Sequence, residues 1–376
     1  MITQYFPGAK WWKFDFHTHT PASSDFMEGC SDEDKEKITP EFWLEKFTNE
    51  GIECVAITDH NSGKWIDRLK QANEQLTDKL HLFPSVEISV TGDVHILAIF
   101  DPSKGTSDID ALLGAVGYNT GTKGGSDSVT TKSITEVIDI IIDHGGVAIP
   151  AHADKKKGLF ASQGNTLKQV LNNKNIHAME LCDETYEKPR LYQEQKIQWS
   201  EVLGSDTHNF RQPSFGNFTW IKMENPTIEG LRLALTDGEA SVNREMTKDL
   251  NQHAELTIES FQINKTKYIG KKESLRCKFS PFLNTVIGGR GSGKSTLLEF
   301  MRFVFRRDKE LPEAIRSEFD KYFQVGGDNL LTNESRLSLV YQKQGSRYRL
   351  NWSANAELPS LEVVDENGDW QPTDGE

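Results

Sequence analysis

The sequence predicts an α/β protein in two parts: a barrel-like domain over residues 1–250 and a partial phosphate-loop lobe over residues 251–376. Three observations predict this. Short β-like runs alternate with amphipathic helical stretches from Trp11 to about Ala240, the pattern of largely parallel strands. Histidines and carboxylates recur where those strands end, and strand ends are where barrel enzymes place their chemistry. Near Leu256 the style of the sequence changes, and GGRGSGKS follows at residues 288–295.

The candidate strands of the first part are residues 12–18, 54–58, 82–89, 94–100, 147–151, 178–182, 202–205 and 218–223. One helix starts at Pro40, with Thr39 as N-cap and proline at the first helical position, and stops at Gly51. Another has Ser133 as N-cap and Glu136 three residues later, a capping box, ahead of Val137, Ile138, Ile141 and Ile142. Residues 102–132, rich in Gly, Ser, Thr and Asp, read as a long surface excursion at the barrel edge. Beyond Leu256 the order is strand, strand, glycine loop and helix, then an alternating segment, 335–352, that reads as a hairpin turning near Gly345. There is no internal repeat.

With 376 residues, 36% hydrophobic and 26% charged, the chain has the composition of an ordinary soluble protein. No apolar run approaches the roughly 18 residues needed to cross a bilayer, so no membrane span is expected. The opening MITQYFPGAKWWKFDF resembles neither a secretory signal nor a transit peptide, and a cytoplasmic location is the expectation. Cys30, Cys54, Cys182 and Cys277 are far apart and form no CxxC pair, so they read as reduced thiols. The net charge is −13; residues 251–376 carry equal numbers of basic and acidic groups, which places the whole excess on residues 1–250. An acidic surface weakens the case for a nucleic-acid substrate, although bound cations would neutralise part of it.

The strand ends supply the candidate site. In FDFHTHT, His17 and His19 are two apart on a strand, so both side chains leave one face and can grip one ion. Asp25 follows in the loop. The second strand ends in TDHN with Asp59 and His60, the third offers Glu87 in SVEIS, and the fourth carries His95 in VHIL. IPAHAD adds His152, and GSDTHN adds Asp206 and His208, again two apart. Imidazole and carboxylate suit zinc, manganese or iron, and one carboxylate can bridge two ions. Such ions activate water and offset phosphoryl charge, so the chemistry implied is phosphoester hydrolysis. His144, at a helix C-terminus, fits the helix dipole instead, and His81, His177 and His253 fit no ligand pattern.

FDFHTHTPASSDF, AITDHN, PSVEIS, HILAIF, IPAHAD and GSDTHN resemble, in order, the motifs of the PHP (polymerase and histidinol phosphatase) superfamily over about residues 11–245. The resemblance implies a distorted (β/α)7 barrel with a trinuclear metal site. His17, His19, Glu87 and Asp206 would then hold one ion, and Glu87 would bridge to a second bound by His95 and His152. Asp25, His60 and His208 would hold the third; Asp25 stands where some members have histidine. Glu87 and Asp59 are the candidate catalytic carboxylates, Glu87 as the bridge and Asp59 by orienting a ligand. Glu180 is a weaker candidate, equally readable as a surface carboxylate. Arg190 and Lys123 are candidates for binding substrate phosphate.

GGRGSGKS matches GxxxxGK[ST], with the apolar FLNTVI before it and the helical TLLEFMRFVF after it. Strand, loop and helix together make a phosphate cradle. Its residues are Gly288, Gly289, Arg290, Gly291, Ser292, Gly293, Lys294, Ser295 and Thr296, with Lys294 reaching the phosphates of ATP and Ser295 on Mg²⁺. An ATPase also needs a Walker B carboxylate. The one candidate, LEVVDE, runs into Asn367 and Gly368 and reads better as a hairpin turn, and no LSGG-like signature follows.

ELTIESFQI and FSPFLNTVIGGRGSGKSTLLEF resemble the first lobe of SMC-type ABC ATPases, and a PHP domain fused to such a lobe resembles the TrlF-type AAA-like ATPases. That likeness implies DNA transactions, phage defence and pairing of two lobes in a homodimer, and on it the chain stops before the second half of the ATPase. The expected function is a nuclease or phosphodiesterase with two or three divalent ions (Mn, Zn or Fe), coupled to a module binding ATP with Mg. A phosphatase for a small metabolite or nucleotide, and a metal-stabilised docking domain, are the alternatives.

Overall fold

The computed structural model describes residues 8–373 except 119–122, 128, 328 and 357. The chain divides into two compact units, Ala9–Leu250 and Asn251–Glu376.

The first unit is a mixed α/β structure on a curled seven-stranded sheet. Its strands are β1 (Lys10–Thr18), β2 (Cys54–Ile57), β3 (His81–Val90), β4 (Val94–Ile99), β5 (Val147–Pro150), β8 (Thr219–Met223) and β9 (Val242–Asn243), in the order β5-β4-β3-β2-β1-β8-β9; β6 (Ala178–Glu180) and β7 (Ser200–Val202) form a separate parallel pair. Only β1, β2 and β3 run parallel within the large sheet; β4, β5, β8 and β9 pair antiparallel to their neighbours. The expected run of largely parallel strands is corrected here, and for β4 the reason is connection length. Residues 91–93 alone link β3 to β4, while a parallel crossover needs about a dozen residues or more. A hairpin is the geometry left.

The helices begin as their sequences dictate. Thr39 accepts from the N–H of Phe42 to start Pro40–Asn49, and Ser133 and Glu136 form the reciprocal capping box of Ile134–Asp143, which ends at His144. The stretch 102–132 is less open than its composition implies, for Thr106–Ala115 is a helix burying Ile109, Leu112 and Leu113; residues 119–122 and 128 lie outside the described residues. Both faces of β2 are buried, as are both faces of the rim-ward half of β1. The cores on the two sides are built on residues such as Trp43, Phe47, Val86 and Ile138 on one and Phe14, Phe16, Phe83 and Ile149 on the other.

The second unit is a six-stranded antiparallel sheet, β11-β10-β12-β13-β14-β15, from β10 (Leu256–Asn264), β11 (Leu275–Lys278), β12 (Arg336–Lys343), β13 (Ser346–Ser353), β14 (Ser360–Val364) and β15 (Trp370–Pro372). Phe261, Ile263, Leu337, Leu339 and Trp352 pack against Leu297, Phe300, Met301 and Val304 of the helix Lys294–Val304. The strand expected at FLNTVI is not formed. Among the described residues it has no ladder partner, and Leu283 and Ile287 are 86% and 93% exposed. An extended segment without a neighbour has nowhere to place its backbone hydrogen bonds except water.

Candidate metal centre

One rim of the sheet collects the predicted residues. β1 delivers His17 and, one residue past its end, His19; His60 pairs with Glu87 in a parallel bridge just beyond β2. β4 runs the opposite way to β3, so its candidate ligand, His95, stands near its start, opposite Ser89. His152 follows β5, while Asp206 and His208 lie beyond β7, tied in by the bridge between Thr18 and Thr207. His152 and Asp206 have left-handed backbone, φ 29° and 47°, as has Asn61 beside His60 at 46°. Such conformations cost on the order of 1–3 kcal/mol each and persist where the surroundings impose them, typically at functional sites.

Glu87 is the hub. Its carboxylate lies 2.6 Å from His95 Nδ1, 2.8 Å from His60 Nδ1, 3.1 Å from His152 Nε2, 3.2 Å from His17 Nε2 and 3.6 Å from His19 Nε2. Asp206 Oδ1 lies 3.3 Å from His19 Nε2 and 3.5 Å from His17 Nε2. Asp25 Oδ2 lies 3.1 Å from His60 Nε2 and 3.3 Å from His208 Nε2. The structure thus brings all nine predicted ligands into one pocket. Three sets of donor atoms, His19–His60–His208, His17–His19–Glu87 and His60–Glu87–His95, are each close enough to share an ion.

The donor set fits divalent cations for a reason beyond proximity. His17 Nε2, His19 Nε2, Asp25 Oδ1, His60 Nδ1, Glu87 Oε2, His95 Nε2 and His152 Nδ1 are buried with no hydrogen-bond partner. His60 Nδ1 and Glu87 Oε2 are both orphaned although only 2.8 Å apart. Buried polar atoms left in this way cost about 1–3 kcal/mol apiece, and a cation removes that cost.

The charges of the ion-free pocket point the same way. Burial works against protonation of His60, yet facing Glu87 and Asp25 raise it to about 10. Burial opposes the ionisation of Glu87 too, but His60, His17 and His95 hold it well below the usual carboxylate range. His19 is pushed down to about 3 by its burial, with the neighbouring imidazoles adding to the effect, and stays neutral.

A shell of further groups fixes the rings. Glu180, predicted as equally a surface carboxylate, is instead buried; it accepts from His17 Nδ1 (2.9 Å), the N–H of His152 (2.8 Å) and the N–H of Gly204 (3.2 Å). With Nδ1 donating to Glu180, the Nε2 lone pair of His17 is turned into the pocket. Asp59, read as a catalytic carboxylate, touches no imidazole. Its oxygens accept from the N–H and Oγ1 of Thr20 and from Ser23 Oγ, each at 2.7 Å. It acts through Ser23, whose Oγ meets His19 Nδ1 at 3.0 Å and accepts from the N–H of His60 at 3.1 Å. Arg190 and Lys123 are engaged by Glu194 and Asp110.

Asp15 was missed. It is fully buried behind the pocket, where it accepts from the N–H groups of His17 (3.2 Å) and Ser205 (2.8 Å), and burial raises it to about 7. The signal was present in FDFHTHT, since strand alternation puts Asp15 on the face of His17 and His19. No such signal marks Ser23.

In the second unit, Gly291 and Gly293 take left-handed backbone (φ 80° and 86°) just before the helix that begins at Lys294, whose Nζ donates to the carbonyls of Gly288 and Gly289 at 2.7 Å each. Asp365 lies in the turn joining β14 to β15, where its side chain accepts from the N–H groups of Asn367 and Asp369. It is a turn residue, as the hairpin reading expects, and not a Walker B carboxylate.

No protein-family model matches the chain, and no curated protein does. Solved structures resemble it. Endonuclease Q bound to a 27-mer duplex with an abasic lesion is 17% identical with a TM-score of 0.46, over 62% of this chain and 58% of that one. The chain therefore spans little more than half of that structure. The lesion-specific endonuclease of the same name from Pyrococcus furiosus is 14% identical with a TM-score of 0.47, over 82% and 88%. A protein of Bifidobacterium adolescentis described as a metal-dependent phosphoesterase is 19% identical with a TM-score of 0.36, over 60% and 96%. Among the described residues no helix is long and apolar enough to cross a membrane.

Proposed function

We propose that residues 9–250 are a metal-dependent phosphoesterase of the PHP type that cleaves phosphodiesters of nucleic acid. The observation that carries this reading is the set of buried, unpartnered imidazole and carboxylate atoms gathered around Glu87. The donors suit manganese, zinc or iron, and two or three ions match the three donor sets. Ions so held supply a nucleophilic water at neutral pH and neutralise charge on a phosphoryl group. The chain's own part is positional. Glu87 belongs to two of the three donor sets, Glu180 and Ser23 lock the rings, and Asp25, Asp206 and His208, 31%, 45% and 26% exposed at their side chains, form the mouth through which a phosphate would enter.

The second unit we read as a nucleotide-binding module taking ATP with Mg, supported by the glycine loop and Lys294 at the start of its helix. With no Walker B carboxylate at Asp365, binding rather than hydrolysis is the expected property. Coupling of the two units in DNA processing or phage defence, and pairing of two chains through this lobe, rest on the likeness to SMC-type ATPases.

The test is incubation with Mn²⁺ and labelled single-stranded DNA, RNA or mononucleotides. Cleavage of a polymer, abolished in the double variant His17→Ala/His19→Ala, is expected. Hydrolysis of mononucleotides alone would replace the nuclease by a small-molecule phosphatase, and unchanged turnover in the double variant would refute the site.

A further inference from the structure

The sequence places three lysines, Lys155, Lys156 and Lys157, directly after His152-Ala-Asp, and the cation cluster uses none of them. We propose that they form a subsite for the backbone phosphates flanking the scissile one in a nucleic-acid strand. This rests on the phosphoesterase reading and deepens it, because it specifies a polymer as the substrate.

Placement is the first support. The N–H of Lys155 donates to the carbonyl of His152 at 2.8 Å, closing a turn that keeps their Cα atoms within about 7 Å. The N–H of His95 donates to the carbonyl of Lys157 at 3.1 Å. The lysine loop therefore leaves from one histidine of the cluster and is tied back to another. Rigidity is the second. Gly158 donates to the carbonyl of Lys155 at 3.0 Å and sits so close to the preceding turn that a Cβ would lie 2.2 Å from the carbonyl oxygen of His152. Beyond it Leu159 and Phe160 are buried, so the loop is anchored at both ends.

Charge is the third support. Lys155 is 55% exposed and only 3.4 Å from Asp154, whose oxygens already accept from the N–H groups of Cys182 and Asp183. Lys157 reaches Asp93 at 4.0 Å, and Lys156 is exposed with no ion pair among the described residues. Exposed pairs of this kind contribute little to stability. Three consecutive cations beside the pocket thus form a local basic patch on a unit that otherwise bears the chain's whole −13. Backbone phosphates of a strand are neutralised one by one by Lys and Arg, and three consecutive cations offer several such contacts.

The experiment compares the full chain with its Lys155→Ala/Lys156→Ala/Lys157→Ala variant. Binding of a fluorescent single-stranded oligonucleotide is followed by anisotropy in EDTA over a range of salt. Hydrolysis of the oligonucleotide and of bis(4-nitrophenyl) phosphate is measured with Mn²⁺. Expected are a roughly tenfold or greater loss of affinity at low salt and a salt slope shallower by about 2, from ~0.7 per lost contact. The oligonucleotide KM should rise more than its kcat falls, and metal content should be retained. Wild-type affinity and salt slope in the variant would overturn the subsite, as would an equal loss on both substrates. Lysine-dependent binding by a chain that cleaves no diester would uphold the subsite and sink the phosphoesterase reading alone.

Discussion

Replacing Glu180 by alanine should loosen the candidate metal centre without removing any of its nine candidate ligands. The carboxylate is the common acceptor for His17 Nδ1, for the N–H of His152 and for the N–H of Gly204, so one side chain joins the ends of β1, β5 and β7. Each buried donor left without an acceptor costs about 1–3 kcal/mol. Allowing for partial relaxation, the ion-free chain should lose on the order of 3–5 kcal/mol, which for a unit of this size lowers Tm by roughly 6–20 °C. His17 would also lose the bond that orients its ring, and loss of such a partner typically weakens metal binding by about 10- to 100-fold. Metal titration monitored by thermal melting measures both effects, with Glu180→Gln, which keeps one acceptor oxygen, expected between wild type and alanine. An alanine variant with wild-type Tm and wild-type metal affinity would show that Glu180 merely fills space.

Three other outcomes follow. His60, raised to about 10 by Glu87 and Asp25, carries a proton at pH 7 in the ion-free pocket, so binding a cation must expel it; a weakly buffered titration should acidify and affinity should fall as pH is lowered, whereas binding without proton release would contradict this charge state. Gly204→Ala would place a Cβ 2.4 Å from the backbone nitrogen of His17 and 2.5 Å from its Cβ, forcing β1 and the loop after β7 apart; a variant with intact metal stoichiometry and Tm would refute that contact. Lys294→Ala should weaken binding of a fluorescent ATP analogue while phosphodiester turnover persists, and unchanged nucleotide binding would remove the glycine loop from that role.

Much of the site was legible because its ligands come as short patterns with a geometric meaning. His17 and His19 share a strand face, and Asp206 and His208 repeat the spacing beyond β7. The same alternation contained Asp15, overlooked because a buried carboxylate that accepts from backbone N–H groups carries no ligand signature. Glu180 and Ser23 were harder, since their roles depend on which strand ends meet in space. In the fold, the direction of β4 was readable from its three-residue link to β3, but a count of strands alone hides it. The helix Thr106–Ala115, with its buried face of Ile109, Leu112 and Leu113, was obscured by the polar composition around it. FLNTVI has the composition of a strand, yet composition cannot supply the neighbour a strand requires.

The most direct test of the account is a metal analysis of the full chain purified without chelator, repeated after loading with Mn²⁺, Zn²⁺ or Fe²⁺. Two or three tightly held ions per chain are expected, as the three donor sets imply, two of which contain Glu87, with most of that content lost in Glu87→Gln. A chain that retains less than a tenth of an equivalent of every metal after loading would contradict it.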